Sequence, residues 1–312
     1  MGKKENPLLA YYNQPERFAQ LLNGWLFGGA ECWKAEDISE ADRRGTDARR
    51  GARERYRDLF KKVDSALVHL YIGTELMEYV DYTMPLRVMD SDALSYLQQK
   101  KAISKGHMER KDLEREEYLS RFSRADRLLP VATLVLYCGE QPWDGAECLH
   151  EMLDFGKLPE QFKTYVENYA IHILDVCHTP DERLREFPRE ICFLLMCIKY
   201  AKDKEAFSRL KELTGTAIVS EDTCEAIAEY LGEPELLERE AGAEGGRDMC
   251  KAIRDLVEDG RNEGIQQGIQ QGIQQGVQLA KQILNMAREN VPAAEIASRL
   301  SVSEKEVRQL LD

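Results

Sequence analysis

No stretch of this sequence approaches the roughly 18–20 uninterrupted apolar residues that a membrane-spanning helix needs, so no such helix is expected. The opening segment, MGKKENPLLAYYNQPERF, has a basic pair but lacks a long apolar core and a small-residue cleavage site. No secretory signal is read there, and a cytoplasmic location is expected. The eight cysteines include no C-x-x-C pair and none has His at zinc-finger spacing, so zinc fingers are not expected. Several of them sit in apolar runs such as ICFLLMCIKY, where Cys acts as a small hydrophobe. Positive charge is also short: 43 Lys and Arg against 56 Asp and Glu leave a net charge of −13. Phosphate binding needs a positive surface, so nucleic-acid contact has to come from a local cluster. The glycine-rich tail lacks the Lys-Ser/Thr ending of a phosphate-binding loop, and no Ser or Cys nucleophile motif is present.

What is present fits a soluble globular protein, with 43% hydrophobic and 32% charged residues over 312 positions. Nine basic residues fall between Arg43 and Lys62 against three acids, and this cluster is a candidate DNA contact. A second group, Lys100, Lys101, Lys105, Arg110, Lys111 and Arg115, is mixed with Glu and reads as a solvated helix face. Residues 7–30 read as one amphipathic helix, with Phe18, Leu21, Leu22, Trp25 and Leu26 at helical spacing and Gly28 and Gly29 stopping it. Residues 34–54 read as a loop or short helix. Strand-like runs RYRDLFKKV and SALVHLYIGTEL follow. A helix is expected from Met84 to Ile103 with Leu86, Met89, Leu94 and Leu97 on its apolar face, then an exposed helix or mobile insertion over 104–127. LLPVATLVLYCG is too apolar for a surface and reads as a buried strand.

These elements make an α/β core (residues 1–148). From 149 to 237 the pattern turns helical: LHEMLDFG, FKTYVENYAIHILDV, PREICFLLMCIKYAKD, KEAFSRLKELTG and TCEAIAEYLG show 3.6-residue periodicity. Residues 238–250 read as a hinge opening a helical tail over 238–312. In that tail Gly260, Gly264, Gly268, Gly272 and Gly276 recur every fourth residue, each followed by Ile265, Ile269, Ile273 or Val277 in the last four repeats. A period of four winds slowly around an α-helix, so a homo-oligomer through a 260–290 helix is expected. Two short helices joined at Val302–Ser303 close the chain, with Ser303 and Glu306 forming a capping box.

Metal-dependent phosphodiester hydrolysis needs carboxylates converging on Mg²⁺ or Mn²⁺ and a further polar group that orients water or phosphate. A common solution sets an Asp on one strand and an acid-x-polar pair on the next, since strand residues i and i+2 share a face. Asp58 in RYRDLFKK and Glu75 in YIGTELM, seventeen residues apart, suit a hairpin that brings both together.

The segments ERYRDLFKK, IGTELMEYVDYTMPLRVMDSDALSYLQQ and LPVATLVLYCGEQPWDG resemble the recombination-promoting nuclease/putative transposase family, as do NQPERFAQLLNGWLFGG and the glutamine-bearing tail. The likeness spans nearly the whole chain. It implies a restriction-endonuclease-like core of the PD-(D/E)xK superfamily and a metal-dependent DNA endonuclease. It places Asp58 and Glu75 as metal-binding and catalytic acids and Gln99 as a phosphate- or water-positioning residue. Arg87, Asp92, Tyr96 and Gln99 match the family's following helix, and Arg55, Arg57 and Arg87 are candidate DNA contacts. Three positions depart from the pattern: Met77 replaces the polar residue of an E-x-Q motif, Ser91 replaces a Tyr, and Gln20 stands where the opening helix often has Asp. A thioether can neither donate a hydrogen bond nor carry a proton. The alternative reading is therefore a catalytically inactive DNA-binding or oligomeric interaction protein on the same fold.

Overall fold

The structure, a computed structural model, describes residues 7–41, 44–45, 55–66, 68–208, 210–215, 218–237 and 247–311. It separates into two compact units, Met1–Ile253 and Arg254–Asp312.

A five-stranded mixed sheet organises the first unit, its strands β1 (Ile38–Glu40), β2 (Leu59–Asp64), β3 (His69–Met77), β4 (Val131–Tyr137) and β5 (His172–Asp175) lying in sequence order. The first two pairings are antiparallel and the last two parallel. The β2–β3 hairpin turns tightly because Ser65 closes it: its N–H donates to the Val68 carbonyl at 3.0 Å. A parallel strand cannot follow by a short turn. The chain therefore crosses over through a long helix, α3 (Met84–Arg110), which lies along β3 before β4 begins.

Two helices precede the sheet where one was expected: α1 (Pro7–Asn13) and α2 (Pro15–Phe27). Pro15 cannot donate a backbone hydrogen bond and starts a new helix instead of continuing the first. Gly28, with φ +60°, ends α2 as expected. The stretch FKTYVENYAIHILDV corrects the sequence reading further. It forms a short 3-10 turn, Glu160–Tyr165, and then β5, which pairs with the edge of β4. Within residues 34–54, expected as a loop or short helix, Ala35–Asp37 form a 3-10 turn and Ile38–Glu40 the edge strand beside β2.

Helices α4 (Arg189–Tyr200) and α5 (Glu221–Leu231) do form where expected. Ile191 to Ile198 are all buried, which marks α4 as a helix enclosed on every side. α5 docks on the N-terminal helices by polar contacts: Tyr11 and Thr223 share a 2.9 Å hydrogen bond, and Arg17 grips Asp222 at 2.7 and 2.8 Å. Four cysteines, 138, 192, 197 and 224, are buried as small hydrophobes, whereas Cys32 is exposed.

The region after Ile103 is more ordered than its charge suggests. α3 continues to Arg110, and His107 is held between Asp112 (2.6 Å) and Asp126 (2.8 Å), closing the following loop onto the helix. Those two carboxylates raise the imidazole pKa, while Arg110 and then His107 pull Asp112 down to about 2. A raised folded-state pKa means the clamp is complete below the ordinary His value of about 6.5 and is lost as pH rises through the folded value. An NMR titration of His107 is expected to show a midpoint above 6.5. A midpoint at or below it would mean that the clamp does not hold a proton.

Helix α6 (Met249–Arg288) belongs to the second unit from Arg254 on, and there it meets α7 (Ala293–Leu300) and α8 (Glu304–Leu311) around Ile283, Ile296, Ala297 and Val307. The capping box forms: Glu306 N–H donates to Ser303 Oγ at 3.2 Å, and Ser303 N–H donates to Glu306 Oε2 at 3.0 Å. Residues 238–246, most of the expected hinge, lie outside the described residues.

Candidate functional site

Strand alternation sets Met77, Glu75, Gly73 and Tyr71 in one row, and α3 runs along its upper part. Each position in that row meets a different environment.

At the top, Met77 is 4% exposed and packs with Met84, Val88, Val135, Tyr137 and Ile171. The position that the family motif gives to a polar residue is thus filled by an apolar cluster. One step down, the pairing of Leu59 with Thr74 brings Asp58 beside Glu75. Asp58 Oδ2 accepts the Leu76 backbone N–H at 2.8 Å. Glu75 is 1% exposed and is held by the Arg87 guanidinium, which also stands 3.6 Å from Asp81. Burial raises the Glu75 pKa to about 7 despite the opposing charge of Arg87, and the nearby Asp58 carboxylate adds to the rise. The structure therefore brings Asp58, Glu75 and Arg87 together.

Above Gly73 sits a sealed ion pair. Arg57, 5% exposed, donates to Asp92 and, at 3.0 Å, to Ser95 Oγ. Asp92 also accepts from Thr133 Oγ1 at 2.6 Å and from the Tyr169 hydroxyl. Gly73 makes room for this: a Cβ there would lie 2.8 Å from both Arg57 Cδ and Thr133 Oγ1. Burial lowers the Arg57 pKa, and Asp92 opposes that shift most strongly. Arg57 is consequently turned inward instead of being offered to solvent.

Gln99 is placed elsewhere. Its Nε2 donates to the Leu129 carbonyl at 3.1 Å, and its Oε1 accepts the Leu129 N–H at 2.7 Å. With Tyr96, whose hydroxyl accepts the Val131 N–H at 3.0 Å, it pins the entry to β4. Twelve residues of helix separate it from Arg87, roughly 18 Å along the axis. Arg55 belongs to a two-residue strand paired with Arg44–Gly45, but its side chain, Arg43 and residues 46–54 lie outside what is described.

The buried polar line was partly visible in the sequence. Met84, Val88, Asp92 and Ser95 follow helical spacing, whereas Leu86 and Leu97, expected inside, are 41% and 62% exposed. Tyr169 and Thr133 carry no local signal, since each reaches Asp92 from another part of the chain.

Among the described residues no group of three or more His, Cys, Asp or Glu could hold a metal ion. No helix among the described residues is long and apolar enough to cross a membrane.

Residues 111–227 match the family described as "Putative transposase, YhgA-like". The matched stretch carries β4, β5, α4 and the start of α5, and it begins after Asp58, Glu75, Arg87 and Gln99. No curated protein and no solved structure matches the chain.

Proposed function

We propose, for a chain that belongs over residues 111–227 to the YhgA-like putative transposase family, a DNA endonuclease dependent on Mg²⁺ or Mn²⁺, with Asp58 and Glu75 as its acids. The observation that carries this reading is the convergence of those two carboxylates at one end of the β2–β3 hairpin, beside the partly exposed Arg87. A hairpin bearing acids, a crossover helix and a parallel third strand also suit a restriction-endonuclease-like core.

A bound divalent ion would polarise the scissile phosphate and supply a hydroxide nucleophile near neutral pH. Asp58 and Glu75 would bind and orient it, and Arg87 would exchange its hold on Glu75 for a phosphate oxygen. No polar side chain projects from position 77, so turnover is slow. Incubation of the full chain with supercoiled plasmid and Mn²⁺ is expected to give slow nicking that Glu75→Ala abolishes. Nicking that survives in Glu75→Ala would place the chemistry elsewhere.

A second reading, a DNA-binding or interaction protein without cleavage, is favoured by the packing of Met77 inside an apolar cluster. No nicking by a folded sample that still binds DNA would establish it.

We also infer that the tail helix joins copies of the chain. Ile265, Ile269, Ile273 and Val277 are 48–61% exposed along α6, and a Cβ on any of the five repeat glycines would meet nothing within 4 Å. Stripes at period four bring two helices together at a steep right-handed crossing, roughly −40° to −50°, rather than in a long coiled coil. Light scattering is expected to report an oligomer that Ile269→Asn/Ile273→Asn reduces to monomer. An unchanged mass would remove the tail from the association.

A further inference from the structure

Further down the same row of β3, beyond Gly73, an open cavity of about 460 Å³ lies between the second half of α3 and the β2–β3 hairpin. Its volume falls in the usual range for small-molecule sites, roughly 300–1,000 Å³. Phe60 and Tyr71 form the aromatic wall; Ser95, Gln98, Lys101 and Lys105 line the helix side. Tyr71 is four residues from Glu75, about 13 Å along the strand, so the cavity is separate from the carboxylates.

Three features point to one kind of ligand. First, the wall is an ordered stack. The Arg57 guanidinium sits 4.4 Å from the centre of the Phe60 ring, and that ring stacks on half-buried Tyr71 at 5.3 Å and 16°. A planar aromatic ligand extends such a stack. Second, both charged groups lining the cavity in the described part of the chain are lysines, although the protein carries a net charge of −13. Lys105 stands 3.9 Å from Glu109, and both are largely exposed, so the pair is too weak to neutralise the rim. Third, Lys101 and Lys105 are one helical turn apart and project from the same side of α3, giving two ammonium groups to one anion.

We propose that this cavity binds a nucleotide, its base against the Phe60–Tyr71 stack and its phosphate between Lys101 and Lys105. Base–aromatic stacking next to a basic rim is the chemistry by which single strands are held without sequence readout. The same chemistry suits a free mononucleotide or one unit of a single strand. The site requires neither a metal ion nor the proposed cleavage, so its binding is measured in EDTA and a failure of nicking leaves it intact.

The test titrates the full chain with adenosine 5′-monophosphate, inorganic phosphate and a fluorescein-labelled single-stranded hexanucleotide. Lys101→Glu/Lys105→Glu, a change on an exposed face that leaves the core untouched, is expected to weaken AMP and hexanucleotide binding at least tenfold. Tyr71→Leu is expected to weaken AMP about tenfold while leaving phosphate unchanged. Hexanucleotide binding at least tenfold tighter than AMP, with AMP as competitor, identifies a strand unit; equal affinity identifies a free nucleotide. Absence of AMP binding at millimolar concentration, or wild-type affinity in the lysine double variant, would overturn the proposal. Phosphate binding as tight as AMP would overturn the aromatic part.

Discussion

Asp92→Ala is expected to lower the stability of the folded chain by about 3–5 kcal/mol, the usual consequence of removing one partner of a buried ion pair. The Arg57 and Asp92 side chains are only 5% and 3% exposed, so water cannot replace the lost carboxylate. Arg57 would stay buried with its Ser95 contact, and Thr133 and Tyr169 would lose their acceptor. Replacing both partners with apolar residues, Arg57→Met with Asp92→Leu, is expected to cost far less, because no orphan charge remains. Urea unfolding, followed through the shift in midpoint at constant slope, measures both. An Asp92→Ala variant within 1 kcal/mol of the parent would show that the pair is solvated.

The second large effect concerns activity. If position 77 limits the proposed hydrolysis, Met77→Gln is expected to raise the Mn²⁺-dependent nicking rate by about 10²–10³-fold, the usual worth of one well-placed polar group at developing charge. The same change sets an amide among Met84, Val88, Val135 and Tyr137, at an expected loss of about 1–3 kcal/mol in stability. Met77→Leu supplies the control: it keeps the packing, costs less than about 1.5 kcal/mol, and gives no gain in rate. A folded Met77→Gln protein that nicks no faster than its parent would show that the missing side chain is not what limits the reaction.

Met77 on β3 and Asp92 on α3 are both buried where the helix packs on the sheet, yet the sequence exposed them unequally. The row itself was legible. Alternation in HLYIGTELM sets Glu75 and Met77 on one face, and the seventeen-position spacing of Asp58 and Glu75 suffices for a hairpin to join them. The buried strand at Val131–Tyr137, the helix following Met84, the capping box at Ser303 and the continuous tail helix were likewise readable. Each depends on neighbours within a few residues.

Where the reading failed, distant partners decided. FKTYVENYAIHILDV carries helical spacing, but the free edge of β4 offers His172–Asp175 a ladder that no local helix could match. Leu86 and Leu97 follow the apolar pattern and still face outward, because the buried side of α3 is needed to close over Arg57. Arg57 itself looked like a surface cation within a basic cluster. Its fate is set by Asp92, 35 positions on, and by Tyr169, 77 positions beyond Asp92. Periodicity and turn chemistry act over a few residues, so the sequence by itself determined the elements and which faces they would bury. Desolvation penalises an unpaired charge wherever its partner lies in the chain, so only the tertiary structure decided which cations would be turned inward and which left at the surface.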